Sequence, residues 1–265
     1  MKPMFLTKNV QLTYWSGGET NGRGICRARN VGLAHATADI VLFLDDDVLL
    51  DKGYVEKMLR IYKQNARAQG VQGYMGHPFR LLANAINRIF LLYYVEEGRC
   101  RVLPSTGLTF AYPLYEVTEC EWMSGTNSSY KREALADLRW DSKLGEYSLY
   151  DDVDLSCRVL KRYPHSLFIT PYARLVHKPS AIARRNLKLD TYIRVAYPTY
   201  FFYKNIQQSL RNKVVFAWSM LGRFLVTFLW RKKAMQIPYL VSAYLYLLRN
   251  FSEVKNGDFR FLKKA

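Results

Sequence analysis

Residues Val41–Leu50 read VLFLDDDVLL. An apolar run passes directly into three adjacent carboxylates. Like charges side by side are unfavourable unless something cationic sits among them. DIVLFLDD is short and rich in β-formers, the pattern of a strand buried on both faces. The carboxylates then fall at the carboxyl end of that strand. Side chains alternate along an extended chain, so Asp45 and Asp47 point one way and Asp46 the other. Two converging carboxylates make a hard-oxygen site suited to Mg²⁺ or Mn²⁺ rather than zinc. The plainer alternative is a solvated turn.

Working outward, GRGICRARNVGLAHA reads as loop then helix. On the other side, GYVEKMLRIYKQN is an amphipathic helix with Val55, Met58, Leu59 and Tyr62 on one face. GVQGYMG reads as another strand, and VQLTYW near the start as an alternating one. This alternation predicts an α/β fold, a mostly parallel sheet flanked by helices. Ligands of such sheets bind beyond the carboxyl ends of the strands, where the DDD run lies. Further on, RLLANAINRIFLLYYVEEG reads as helix and RVLPSTGLTFAYP as irregular or β. SGTNSSYKREAL reads as a small-residue loop leading into a helix. YDDVDLSCRVLKRY is a helix with acidic residues in its first turn, where the dipole favours them. SLFITPYARLVH is a last strand.

The helix opened by Asp151, Asp152 and Asp154 carries the second acidic cluster. Capping explains it at the bland level, and Asp154 can pair with Arg158 across one turn. His177 closes the last strand; a lone histidine is more often structural than a ligand. No Ser/His/Asp or Cys/His arrangement stands out. The four cysteines form no CxxC pair and read as reduced, packed thiols of a cytosolic chain.

The chain has 265 residues, 49% of them hydrophobic, and can bury a sizeable core. Its formal charge is +17, which points to a polyanionic partner. After Asp190 the only acidic residues are Glu253 and Asp258, so the excess belongs mainly to the C-terminal part. There the basic residues cluster with long apolar runs rather than on a polar, groove-facing element, which argues against nucleic acid. VVFAWSMLGRFLVTFLW, Val214–Trp230, falls short of the ~20 residues of a clean membrane span and has Arg223 in its middle. Ser219, Arg223 and Thr227 are spaced by four and form one polar stripe. With IPYLVSAYLYLL this predicts a helical hairpin in the membrane interface. Leu221, Phe224, Leu225 and Phe228 would enter the apolar layer; Arg223, Arg231, Lys232 and Lys233 would meet anionic headgroups. A helical cap packed on the first domain is the alternative.

In combination and in order, RARNVGLAHATADIVLFLDDDV, WMSGTNSSYKREAL, YDDVDLSCRVLKRY and ARLVH resemble the family 2 glycosyltransferases of GT-A fold, over about Gly22 to His177. The resemblance implies a donor site at Arg29, Asn30, Asp45, Asp46 and Asp47. Asp45 and Asp47 are its DxD carboxylates for Mn²⁺ or Mg²⁺, and His177 completes the metal site. It places Trp122, Gly125, Thr126 and Asn127 on the acceptor side and makes Asp152 the catalytic base. Asp151 supports that base from a position usually held by Glu. The family's opening strand, helix and second strand have no counterpart before the ARN element, so the domain, 1–183, reads as N-terminally shortened. Residues 184–265 form a helical membrane-associating appendage. The implied function is an inverting, hexosyltransferase-like enzyme of polysaccharide or surface-glycan synthesis. It takes a nucleotide-diphosphate sugar as donor and a saccharide or lipid-linked hydroxyl as acceptor. Its place is the cytoplasmic face of the cell membrane, peripheral or monotopic. The competing reading is a truncated, inactive membrane-associated remnant or partner subunit.

Overall fold

The structure is a computed structural model that describes residues 13, 24–76, 80–144, 148–178, 186–229 and 235–264. The predicted VQLTYW strand lies outside them except for Thr13. The first helix, α1 (Ile25–His35), leads to β1 (Ile40–Leu42), the strand expected from DIVLFLDD. After the acidic run comes β2 (Val48–Leu50), which pairs with a later strand and not with β1, and α2 (Tyr54–Gln64) and β3 (Gly70–Tyr74) follow. The buried face of α2 keeps Met58 and Tyr62 of the expected set and exchanges the other two. Tyr54, Met58, Ile61 and Tyr62 are buried, while Val55 and Leu59 turn outward. The spacing i, i+4, i+7, i+8 of the buried set is the true helical face. Tyr54 lies so close over β3 that a side chain at Gly73 would collide with its ring.

Next come α3 (Leu81–Ile89), a parallel pair of β4 (Tyr94–Glu96) and β5 (Thr109–Ala111), and the two-residue β6 (Thr118–Glu119). The segment expected to be loop then helix, SGTNSSYKREAL, instead contains β7 (Ser128–Lys131) and only a 3₁₀ turn, Arg132–Leu135. The helix α4 (Asp151–Arg162) and the long β8 (Leu167–His177) appear where the sequence predicts them.

The main sheet runs β1-β7-β3-β8-β2, with β6 also pairing β8. It is mixed, not mostly parallel. Among the described residues only β3 and β8 pair in parallel within it; β1–β7, β3–β7, β2–β8 and β6–β8 are antiparallel. The reason is local. The strands separated by helices, β1, β3 and β8, all run in one direction, as a strand–helix alternation requires. The three short strands that return without a helix, β2, β6 and β7, run against them. One of these, β7, is inserted between β1 and β3 in the middle of the sheet.

Helices cover both faces. On one, α2 packs Met58, Ile61 and Tyr62 against Val71, Phe168 and Leu175. On the other, Met123, Tyr130, Leu155 and Leu167 belong to a core that continues into the C-terminal helices. These are α5 (Leu187–Asn205), α6 (Leu210–Leu229), α7 (Ile237–Arg249) and α8 (Phe251–Lys255). Phe201 packs on Tyr150 and Phe202 stacks on Phe216, so α5 lies between α4 and α6. The fully buried Asp154 is met by Arg158, Lys204 and Asn205, each at 2.8 Å. The third acidic residue of the α4 cluster thus ties α5 down, and its expected pair with Arg158 forms.

Among the described residues no helix is long and apolar enough to cross a membrane. The polar stripe of α6 faces inward, contrary to the expectation that Arg223 reaches outward to headgroups. Ser219 and Thr227 are buried, and Ser219 donates to the carbonyl of Ser105. Phe224 packs on Tyr244 of α7. Leu221, Leu225 and Phe228 are exposed, and Leu210, Val214 and Trp218 continue the same stripe. The outward face of α6 is therefore apolar, because its polar stripe turns inward.

Candidate active site

The site lies at the carboxyl ends of β1, β3 and β8. Beyond β1 the ladder to β7 persists: Phe43 N donates to Ser128 O (2.8 Å) and Asp45 N to Thr126 O (3.1 Å). This keeps the chain extended through the acidic run. Asp45 and Asp47 are half-buried on one side and Asp46 is exposed, the alternation expected of a pleated backbone. The β2–β8 ladder sets Val48 opposite His177. One ligand atom each from Asp45, Asp47 and His177 then lies within 4.8 Å of the others.

His177 Nε2 is 2.9 Å from Asp47 Oδ1. The approach lacks hydrogen-bond geometry, and that oxygen is buried with no donor among the described residues. Buried carboxylate oxygens are ordinarily satisfied. Two carboxylates, one of them with this orphaned oxygen, and one imidazole fit a divalent cation that accepts hard oxygen donors with a nitrogen.

The cation demanded by the acidic run is also supplied by the protein. Arg29, on α1, is buried and reaches Asp45 Oδ1 (3.3 Å), Asp151 Oδ2 (2.8 Å) and the Gly125 carbonyl (2.9 Å). It joins the two acidic clusters, and a side chain at Gly125 would stand 2.6 Å from its guanidinium. Asn30 acts elsewhere, on the chain before α4. Its amide donates to Trp140 O (2.9 Å) and accepts from Trp140 N (2.8 Å).

The second cluster faces the first across the loop before β7. Asp152 Oδ2 accepts from Gly125 N (2.9 Å), and Oδ1 accepts from Val153 N (2.8 Å) in the first turn of α4. Burial pushes the Asp152 carboxyl above its ordinary range, against the lowering by those amides and Arg29. Asp151 is buried and pushed up to about 7, first by burial and then by the charge of Asp152. Arg29 opposes this shift, but its single charge is shared with Asp45 and a carbonyl.

Of the four residues expected on the acceptor side, Gly125 meets the second cluster at Asp152 and Thr126 meets the first at Asp45, both through their backbone. Asn127 is buried and donates to Gly73 O (2.9 Å), holding the loop to the end of β3. Trp122 is buried with its indole N–H on Thr109 O (3.1 Å) and its ring edge-on to Phe110; it forms a wall.

Two positioning residues escape sequence reading. Gln72, inside β3, accepts from Ser124 N (2.8 Å) and props the loop; an amide in an otherwise apolar buried strand was its signal. Tyr150 precedes Asp151 with φ 66°, a left-handed conformation that costs a non-glycine residue about 1–2 kcal/mol. Its hydroxyl donates to Thr106 O (2.7 Å) and accepts from Tyr93 (2.6 Å).

A mixed α/β sheet thus brings an Asp-x-Asp–His cluster to face a helix-borne carboxylate. Residues 19–139 match the family model described as Glycosyl transferase family 2. No curated protein matches the sequence. Several solved structures are similar. TarS 1-349 of S. aureus in complex with UDP-GlcNAc is 13% identical, with a TM-score of 0.47, over 92% of this chain and 71% of that one. A mannosyltransferase of Pyrobaculum calidifontis in complex with GDP-Man and Mn²⁺ is 17% identical, with a TM-score of 0.45, over 87% and 68%. Glucosyl-3-phosphoglycerate synthase of Mycobacterium tuberculosis, in complex with Mn²⁺, UDP-glucose and phosphoglyceric acid, is 17% identical, with a TM-score of 0.45, over 71% and 57%. The chain spans 57% of the length of that synthase, and 51% and 41% of two further similar structures, a mycobacterial protein and GalNAc-T7.

Proposed function

We propose that this protein is an inverting glycosyltransferase that moves a sugar from a nucleotide-diphosphate donor to a hydroxyl of a saccharide or lipid-linked acceptor. The observation that carries the reading is the convergence of Asp45, Asp47 and His177 within 4.8 Å, across one loop from Asp152. Asp45, Asp47 and His177 would hold Mn²⁺ or Mg²⁺, which supplies a Lewis acid for the charge developing on the departing diphosphate. Asp152 accepts the proton of the attacking hydroxyl; a carboxylate of raised pKa is the stronger base once ionised. Asp151 and Arg29 position that base, and the Gly125–Asn127 loop lies where donor and acceptor would meet. A single displacement opposite the leaving group inverts the anomeric centre and needs no covalent nucleophile.

The same proposal places the protein peripherally on the cytoplasmic face of an anionic membrane. The exposed apolar stripe of α6 supports this, with Val241, Leu245 and Leu248 exposed on α7. A panel of UDP- and GDP-sugars with Mn²⁺ or Mg²⁺ tests the catalytic reading. Transfer of one sugar with inverted anomeric configuration, abolished by chelation, is the expected result. Absence of both donor binding and transfer across the panel would favour a non-catalytic partner role.

A further inference from the structure

Away from this site, residues in and beside α3, α5, α6 and α7 line a partly open cavity of about 280 Å³. Its walls divide by chemistry. Leu92, Val226 and Leu240 make one side apolar, while Arg194, Arg223 and Thr227 contribute to a polar side. Arg194 is paired with Asp190 at 2.6 Å. Arg223 has no carboxylate on it among the described residues. Its Nε is buried and has no hydrogen-bond partner among them. The groups that act on its charge are the phenols of Tyr93, Tyr150 and Tyr244. Buried cations are ordinarily paired; Arg223 is half-buried along this cavity, and the one carboxylate that lines it among the described residues, Asp190, is already paired with Arg194.

A guanidinium offers a planar fork that matches two oxygens of one tetrahedral anion. A bare anion would leave the apolar wall unfilled. We infer that this cavity binds a phosphate group carried on an apolar chain, with Arg223 as its principal contact and Arg194 as the second. The Asp190–Arg194 pair adds no net charge, so Arg223 leaves one positive charge for the phosphate to neutralise. This site is separate from the metal-and-carboxylate cluster and does not depend on the sugar-transfer reading. Tyr93 lines it and reaches the Tyr150 hydroxyl, so the two regions are joined by one hydrogen bond.

The phosphate could be part of a bilayer lipid or of a soluble ester. The test is calorimetry on the full chain with hexyl phosphate, hexanol and inorganic phosphate, beside sedimentation with phosphatidylcholine vesicles containing or lacking phosphatidic acid. Hexyl phosphate should bind at least roughly tenfold more tightly than inorganic phosphate, because it buries its chain, and hexanol should bind far more weakly than hexyl phosphate. Arg223→Gln should weaken hexyl phosphate by about tenfold or more, and Arg223→Lys by less, since it keeps the charge and loses the fork. Arg194→Gln removes a half-exposed side chain the fold tolerates, and should weaken binding by about threefold. If Arg223→Gln does not fold, the other two variants decide. Unchanged affinity in both, or hexanol binding as tightly as hexyl phosphate, overturns the inference. Arg223-dependent capture of phosphatidic acid vesicles upholds it with a bilayer lipid as the source. Hexyl phosphate binding without such capture upholds it with a soluble ester. Asp45→Asn should leave hexyl phosphate binding intact, so failure of the donor site and failure of this cavity are read separately.

Discussion

One guanidinium, that of Arg29, holds two acidic clusters together, and the residue-scale predictions turn on it. Asp45→Asn and Asp47→Asn should each abolish metal-dependent transfer and weaken Mn²⁺ binding, whereas the exposed Asp46→Asn should retain most activity. Equal behaviour of the three variants in a Mn²⁺ titration would remove the metal site. Asp152→Asn should lower turnover by about 10²–10⁴-fold, the usual contribution of a general base, with donor affinity nearly unchanged. Because burial raises the Asp152 carboxyl, the acid limb of the pH–rate profile should lie above the ordinary carboxylate range. Asp151, raised to about 7, keeps its proton in the folded state to a higher pH than in the unfolded chain. Its contribution to stability is therefore complete below about pH 4, the ordinary carboxylate range, and is lost as pH rises towards 7. Arg29→Met removes the cation that offsets this loss, so its destabilisation should be larger at pH 8 than at pH 5. Breaking a buried pair costs on the order of 3–5 kcal/mol when the remaining charge stays ionised. Urea midpoints at the two pH values measure this; a pH-independent loss would mean that Asp151 does not titrate there. The DxD geometry was legible in the sequence because alternation is a local property of extended chain. The Arg29–Asp151 pair was not, because those residues lie 122 positions apart.

At the scale of elements, the loop from Ser124 to Asn127 and the first turn of α4 form one unit. Gly125→Ala places a methyl against the pinned guanidinium of Arg29 and should cost about 1–3 kcal/mol, as overpacking does. It should also reduce turnover more than it reduces nucleotide binding. Thermal unfolding beside steady-state kinetics checks both; wild-type kinetics in the variant would show that the Arg29 contact to Gly125 plays no part in turnover. The helices α1, α2 and α4 were legible from periodicity and acidic first turns. The strands β2, β6 and β7 were not. They have 3, 2 and 4 residues, too few for a period. The sequence SSYK offers small side chains that resemble a loop until β1 and β3 close on either side. Missing those three returns is what turned a mixed sheet into an expected parallel one.

For the whole molecule, the proposed membrane contact rests on the outward face of α6. Changing Leu221, Leu225 and Phe228 together to Gln alters side chains that are 48%, 37% and 64% exposed. Folding should be spared, and binding to anionic vesicles should fall sharply. High salt should release the wild type only partly, since apolar insertion survives screening. Complete release by salt would leave a purely electrostatic contact. That the C-terminal part is helical and amphipathic could be read from spacing; which stripe turns inward could not, since that depends on tertiary partners such as Ser105, 114 positions from Ser219. The inserted strand β7 has a bearing on how the molecule assembles in time. Ile40 pairs with Lys131 and Val48 with His177, so both ladders that frame the acidic run join distant parts of the chain. Contacts of such separation close late and slowly, because the entropy of the loop between them must first be overcome. Asp45, Asp47 and His177 can then come within reach of one ion only after both ladders have formed. Metal uptake during refolding should follow sheet formation rather than guide it, and would mark the moment at which the sheet is closed.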